Sequence, residues 1–429
     1  MTVRSLTKWF LVAAAFVSSW NAVQLRGIQP VDIFLALAVG LSVISFVSGQ
    51  VPWVPRWVKA ATLCVLIVMV THLVVPTSPA YMSQRFIFVP WFVKVTGIDL
   101  SESGVVRGLK WILALAVLPV MVAEAARDDD GFVKRMSTAW LAGATISAFI
   151  AITDFLGITS VNMFLIALGG ATARQSGLTS HPNHLGMSVS IVAPLAIAVA
   201  MRSRWTGVPV VLLLMAGAVV SGSRAGQAGF VLAVTATLAL SARARRFAPI
   251  LIVAAGITSA GIVWAKPGLV DTIATLFRFD TTDKYVAQSN EERANLSQQA
   301  IADFAERPVD GVGLDVLGQA HNIYLQIVAS GGLILACGMF AYFAGMLTAA
   351  FAERRSADPL GLYLLVGVMV WLASALFGTQ LTDRYLYFPV GAIAALQGQR
   401  LRLAVRRRRV VREAAIAEAR RIDEQPLLS

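Results

Sequence analysis

The side chains able to do chemistry in this chain are mostly arginines set between apolar runs. Arg224 lies in SGSRAGQAG, with Gly222, Gly226 and Gly229 around it. Small residues there let a neighbouring backbone or a ligand approach closely. An arginine at that depth needs an anionic partner or must snorkel to the surface of a short hairpin. Arg174 lies in ATARQSGLTSHPNHLG, where Pro182, Asn183 and Gly186 read as a tight turn opening a helix. His181 and His184 flank that turn at i,i+3 spacing. Metal binding is one reading, but no adjacent carboxylate or cysteine completes a ligand set, and a polar helix cap is the other.

Arg293 stands beside Glu291 and Glu292 in a polar stretch, either as a functional cation or as a solvated charge on an amphipathic helix. His321 follows the glycine-rich RPVDGVGLDVLGQA and opens the apolar run HNIYLQIVASGG. An imidazole is a frequent general base because its free pKa lies near neutrality; a capping or interfacial histidine is the alternative. Asp383 and Arg384 share a short loop and are expected to pair with each other. Arginine suits a diphosphate because its planar fork bonds two oxygens at once. A leaving diphosphate needs its charge neutralised, which arginines supply without a metal. A histidine can orient or deprotonate an acceptor hydroxyl. Together these groups fit displacement of a lipid-carried diphosphate by a hydroxyl.

The elements that must position these residues are membrane helices. The 429 residues are 57% hydrophobic and 14% charged, with mean hydropathy +0.70, too little charge to cover a soluble domain. Apolar runs fit bilayer-crossing helices rather than the alternating strands of a barrel. Twelve spans are expected, near residues 9–25, 31–48, 60–76, 108–125, 139–157, 186–201, 207–221, 226–242, 249–265, 322–351, 360–377 and 386–399. Residues 9–25 are read as a first helix rather than a cleaved signal, because no small-residue cleavage site follows. One set of alternate loops holds 23 of the 36 lysines and arginines, which predicts both termini in the cytoplasm of an inner-membrane protein. Arg174, Arg224, Arg293 and His321 then all face outward. Residues 77–107 read as a surface-lying or re-entrant piece, and 266–321 as a large outward loop between helices nine and ten, with its own helix from about 290 to 306. Residues 1–399 form one bundle in this reading, and 400–429 form a basic cytoplasmic tail against anionic headgroups. The net charge of +12 reflects the positive-inside rule, not nucleic-acid binding. Cys64 and Cys337 fall in apolar runs and read as small buried hydrophobes.

SGSRAG, RQSGLTSHPNHLG and RPVDGVGLDVLGQAHNIYLQIVASGG resemble the O-antigen ligase and O-antigen polymerase superfamily. The motifs cover roughly residues 172–335, and the twelve-helix layout agrees over the whole chain. The resemblance implies an all-α, GT-C-like fold and inverting, metal-independent transfer of a glycan from an undecaprenyl-diphosphate carrier. The acceptor hydroxyl, on a glycan, lipid or protein, lies outside the cytoplasmic membrane. It implies no cofactor. Arg224 corresponds to the arginine that engages the donor diphosphate, His321 to the histidine of acceptor activation or donor contact, and Arg293 to the loop arginine. Arg174, Asn183 and Asn322 become substrate-binding positions. One departure stands out: ligases often carry a second glycine three residues after the position of Gly332, where this chain has Leu335. The sequence leaves ligase, polymerase and protein O-oligosaccharyltransferase open. A rival from another class is a transporter or lipid flippase, against which stand the few charges within spans and the lack of paired broken helices. A member that binds lipid carriers without catalysis is a third possibility.

Overall fold

The computed structural model describes residues 2–24, 28–46, 53–86, 103–167, 174–265, 284–318, 320–354 and 359–423. The described chain is a set of packed helices. α1 covers Val3–Val17, α2 Pro30–Phe46, α3 Arg56–Val74 and the short α4 Pro79–Gln84. α5 (Gly104–Ile112) runs through a π-helical turn at Leu113–Val117 into α6 (Leu118–Ala125). α7 (Phe132–Phe155) and α8 (Val161–Ala167) follow. α9 (Pro182–Arg202), α10 (Arg204–Val220) and α11 (Arg224–Leu240) form successive antiparallel hairpins. Then come α12 (Ala242–Arg245), α13 (Ala248–Ala265), α14 (Lys284–Glu306), α15 (Ile323–Glu353), α16 (Leu360–Ser374) and α17 (Tyr387–Asp423).

Among the described residues six helical stretches are long and apolar enough to cross a bilayer: α3, α5–α6, α7, α9, α15, and α16 with its 3₁₀ extension to Phe377. Shorter apolar helices lie at Pro30–Val43, Arg204–Val220, Arg224–Leu240 and Ala248–Ile257. The protein is an integral membrane protein by these helices. α9 is buried on nearly every side, whereas α3, α13 and α15 leave Val74, Ile252 and Phe340 exposed, as lipid-facing helices do.

Several elements differ from their expected form. α1 stops at Val17, eight residues short of the expected span, because Ser18 turns its hydroxyl back to Ala15 O and Asn21 joins a polar cluster at the helix end. The loop helix starts at Lys284, a turn and a half earlier than the sequence pattern gave. The last span and the basic tail are one continuous helix. Cys337 is exposed and Cys64 half-buried, so neither is the fully buried hydrophobe expected: both lie where α15 meets α3 at the outer surface of the packing. Most of residues 77–107, including Pro90, Trp91 and Phe92, lies outside the described residues.

α15 is not one straight span. It breaks at Gly331 and Gly332, the latter at φ +55, a left-handed conformation open to glycine. The segment 308–313 fills the break. Leu333 and Ile334 donate to Pro308 O and Val309 O, while Val312 and Gly313 donate to Ala329 O and Ser330 O, all at 2.9–3.1 Å. These four backbone groups of the kink are thus paired, as an apolar environment demands.

Two clamps hold the loop to the bundle. Arg85, just past α4, pairs with Asp303 of α14 through Nε–Oδ1 at 2.7 Å and Nη2–Oδ2 at 2.5 Å. Their side chains are only 3% and 1% exposed, and Tyr81 and Gln299 donate to the same carboxylate. Below it, Arg107 donates to Asp315 O and Leu317 O, each at 2.6 Å, and Thr77 donates to Val312 O at 2.9 Å. Removing one partner of a buried pair strands the other charge and costs about 3–5 kcal/mol. Arg85→Ala is therefore expected to speed tryptic cleavage within α14 by roughly a hundredfold or more, while the apolar pair Arg85→Met with Asp303→Leu largely restores protection. Equal cleavage of Arg85→Ala and wild type would show that the pair does not hold α14.

Candidate functional site

The SGSRAG hairpin is built from its small residues. Gly222 takes φ +58 to turn the chain between α10 and α11. Ser221 Oγ accepts from Ser223 N, and Ser223 Oγ caps α11 by accepting from Gly226 N, each at 3.1 Å. Arg224 is thereby the first residue of α11. Gly226 lies directly on Gly186 of α9; a Cβ on Gly226 would stand 2.5 Å from Gly186 Cα. Ser190 Oγ sits between the two carbonyls, 2.6 Å from Gly186 O and 2.8 Å from Gly226 O. The result is two helix N-termini side by side.

The N-terminus of α9 is the histidine–proline turn. His181 is its N-cap, with Nδ1 accepting from Asn183 N at 3.1 Å, and Pro182 occupies the first turn. The capping reading of this motif is the one the geometry shows. Upstream, Asp154 accepts from the N–H groups of Val161 and Asn162 at the start of α8. Asn162 donates to Arg174 O at 3.1 Å and accepts from Ser176 at 2.7 Å, which ties the Arg174 segment down.

These elements meet at a cavity of about 460 Å³. Arg174, Asn183, Arg224 and Arg293 all line it, with Gly222 and Ser223 of the hairpin and Ser374 and Phe377 at the end of α16. Arg224 Nη2 reaches Asn290 Oδ1 of α14 at 3.5 Å, three residues before Arg293. Three guanidinium groups and two positive helix ends thus share one opening, and none of the described lining residues is acidic. Such a site is arranged for an anion with several oxygens.

His321 lies next to this group and is not among the cavity's lining residues. It directly precedes Asn322, the N-cap of α15, whose Oδ1 accepts from Tyr324 N and Leu325 N at 2.9 and 3.2 Å. Asn322, expected to bind substrate, therefore has a capping role in this structure. Burial, and then the Arg293 guanidinium, push the His321 imidazole down to about 4. Burial likewise holds His181 well below the usual histidine range, helped by His184, Arg174, His321 and Arg293. His321 is thus neutral at pH 7, with a lone pair to offer.

Behind the site lies a polar cluster that the sequence reading did not foresee. Asp383 and Arg384 do not simply pair with each other. Asp383 Oδ2 stands 3.1 Å from His184 Nδ1, and Arg384 reaches Asp32 of α2 at 2.9 Å. Asn21 fixes the imidazole: its Oδ1 accepts from Ser180 N at 2.7 Å, so its Nδ2 is the group that donates to His184 Nδ1 at 2.8 Å. Burial raises the Asp383 carboxyl above its ordinary range. No spacing rule links residues 21, 184 and 383. Phe377, Ser374 and Asn290 at the cavity were equally silent, being single residues without a motif. Among the described residues no group of three His, Cys, Asp or Glu is placed to hold a metal ion.

Residues 209–340 match the family model described as O-Antigen ligase. The match covers 132 of the 429 residues. This supports the O-antigen ligase superfamily, and the matched stretch spans Arg224, α14 and its Arg293, the 308–313 segment and His321. Arg174 and Asn183, on the α9 side of the cavity, precede it. No curated protein matches the chain.

A histidine whose folded pKa is lower than its unfolded value contributes stability above about pH 6.5, and that stability is lost as pH falls toward 4. The melting temperature is expected to drop between pH 7 and pH 5. The drop should be shallower in His321→Gln and should persist in part because His181 shifts in the same direction. An unchanged pH slope in His321→Gln would place His321 in solvent rather than against Arg293.

Proposed function

We propose that this ligase-superfamily protein is a membrane glycosyltransferase. It moves a glycan from an undecaprenyl-diphosphate carrier to an acceptor hydroxyl on the outer face of the cytoplasmic membrane, as a cell-surface polysaccharide ligase or polymerase. One observation carries the reading: Arg174, Asn183, Arg224 and Arg293, distant in sequence, line a single acid-free cavity with His321 in electrostatic reach of Arg293. In this reading Arg224 and Arg293 hold the donor diphosphate, Arg174 and Asn183 complete the binding surface, and Asn322 keeps the α15 end in place. The acceptor oxygen attacks the anomeric carbon as the bond to the diphosphate breaks, inverting that carbon. The acceptor proton passes to His321, and the diphosphate leaves on its lipid. The donor's negative charge offsets the Arg293 field that lowers His321, so the imidazole becomes a better base once the donor is bound. The arginines neutralise the leaving group without a metal.

The orientation belongs to the same proposal: twelve spans in a single bundle over residues 1–399, both termini cytoplasmic, and the cavity outward. The rival is a transporter or flippase. The break in α15 is filled by the chain's own segment 308–313, which pairs Leu333 N, Ile334 N, Ala329 O and Ser330 O, groups that broken-helix transporters leave to ions.

In membranes supplied with a lipid-diphosphate glycan and acceptor, His321→Ala is expected to lose on the order of 10²–10⁴ in transfer rate. Arg224→Lys should also be severely impaired despite its retained charge, because an ammonium cannot form the bidentate fork. EDTA should leave wild-type transfer intact. Wild-type-like transfer by both variants would sink the assignment. A reporter inserted near Gln288 should read external and one fused after Ser429 cytoplasmic; the same reading at both positions would overturn the topology.

A further inference from the structure

At the end of the bundle opposite the arginine cavity lies a second concavity, of about 560 Å³. α9 runs from Asn183 at the first site to Arg202 at the second, and its 21 residues span roughly 30 Å, the thickness of a bilayer core. Lys134 of α7, Arg202 at the end of α9 and Arg243 of α12 line its mouth. Among the described residues none of these three makes an ion pair, and none of the described lining residues is acidic. Its walls are apolar, with Leu141, Leu195 and Leu360. Ser137, 4% exposed, lies in the lining and has a hydroxyl without a hydrogen-bond partner. Trp205, 87% exposed and the second residue of the next helix, stands where aromatic residues mark the membrane–water boundary.

Three unpaired cations above a greasy wall at the interface form a place for one amphiphile. We propose that this groove binds the phosphate headgroup of an anionic phospholipid, with Lys134, Arg202 and Arg243 on the phosphate and the acyl chains along Leu141, Leu195 and Leu360. Phosphate as such is the recognised chemistry. The apolar wall selects the lipid over the free ion, because inorganic phosphate has nothing to place there. The lipid would bridge α7, α9, α12 and α16 and so brace the same α9 whose other end carries Asn183. This groove is separate from the arginine cavity, and its occupancy does not depend on the reaction proposed there.

The test is native mass spectrometry and thermal denaturation of the purified full-length protein. Probes are dioleoyl phosphatidylglycerol, dioleoyl phosphatidylcholine and inorganic phosphate. The wild type should retain phosphatidylglycerol in preference to phosphatidylcholine and melt higher with it. Each of Lys134→Gln, Arg202→Gln and Arg243→Gln should lower that preference roughly fivefold, and the triple variant should abolish it. The control, with Arg406, Arg407, Arg408 and Arg409 all changed to Gln, should keep a retained lipid, because the tail offers no apolar wall. A triple variant with undiminished preference, or a tail variant that alone loses it, overturns the proposal. So does an equal melting shift with inorganic phosphate, which would mark a free-anion site. Should the triple variant not fold, the three single variants decide by the same ratio.

Discussion

The buried pair of Arg85 and Asp303 is the constraint on which the rest of the site depends. It joins the chain after α4 to α14, a polar helix with no apolar face broad enough to anchor itself. Taking two charges out of water costs several kcal/mol per ion, and such a pair rarely adds net stability over an apolar substitute. What it supplies here is register. The fork of Arg85 fits both oxygens of Asp303 in one orientation, and Tyr81 and Gln299 both donate to Oδ1 of the same carboxylate. That orientation sets which face of α14 turns to the bundle, and with it where Arg293 stands relative to Arg224.

The same economy of glycine and serine recurs wherever two functional segments approach. Gly186 and Gly226 bring the first turns of α9 and α11 together, with Ser190 between their carbonyls. Gly311, at φ +68, and Gly332 let the segment 308–313 thread into the break of α15. A side chain at Gly332 would meet Val309 carbonyl carbon at 2.4 Å. The half-helix that begins at Asn322 is thus held apart from the remainder of α15, and His321 is carried at its tip. Leu335 takes the space beside Gly331, at the position where ligases often have a second glycine.

The charges divide along the axis of α9. One end gathers Arg174, Arg224 and Arg293 around a cavity without acids; the other leaves Lys134, Arg202 and Arg243 around a groove without acids. Cations gathered at a concavity whose described lining holds no carboxylate are poised for anions from outside the chain. In the proposals made above, those anions belong to the donor at the first end and to the membrane itself at the second, and would hold the helix between them from both ends.

The sequence by itself determined the helical membrane character, carried the resemblance to the O-antigen ligase superfamily and singled out Arg174, Asn183, Arg224, Arg293 and His321 as candidates. Apolar length, small residues around a lone arginine and a proline-asparagine turn are local signals, readable without a fold. The tertiary structure alone decided the rest. The Arg85–Asp303 clamp, the Asn21–His184–Asp383 cluster and the wall of Ser374 and Phe377 join residues that no periodicity connects. That Asn322 Oδ1 caps α15 is likewise a tertiary finding, because a short side chain at a helix start satisfies the nearest unpaired N–H groups. Asp383 and Arg384, adjacent in sequence, found partners elsewhere because α2 and α9 present Asp32 and His184 to that loop. Burial decided the state of His321: the same imidazole in solvent would titrate near neutrality, and only its enclosure against Arg293 keeps it neutral well below that.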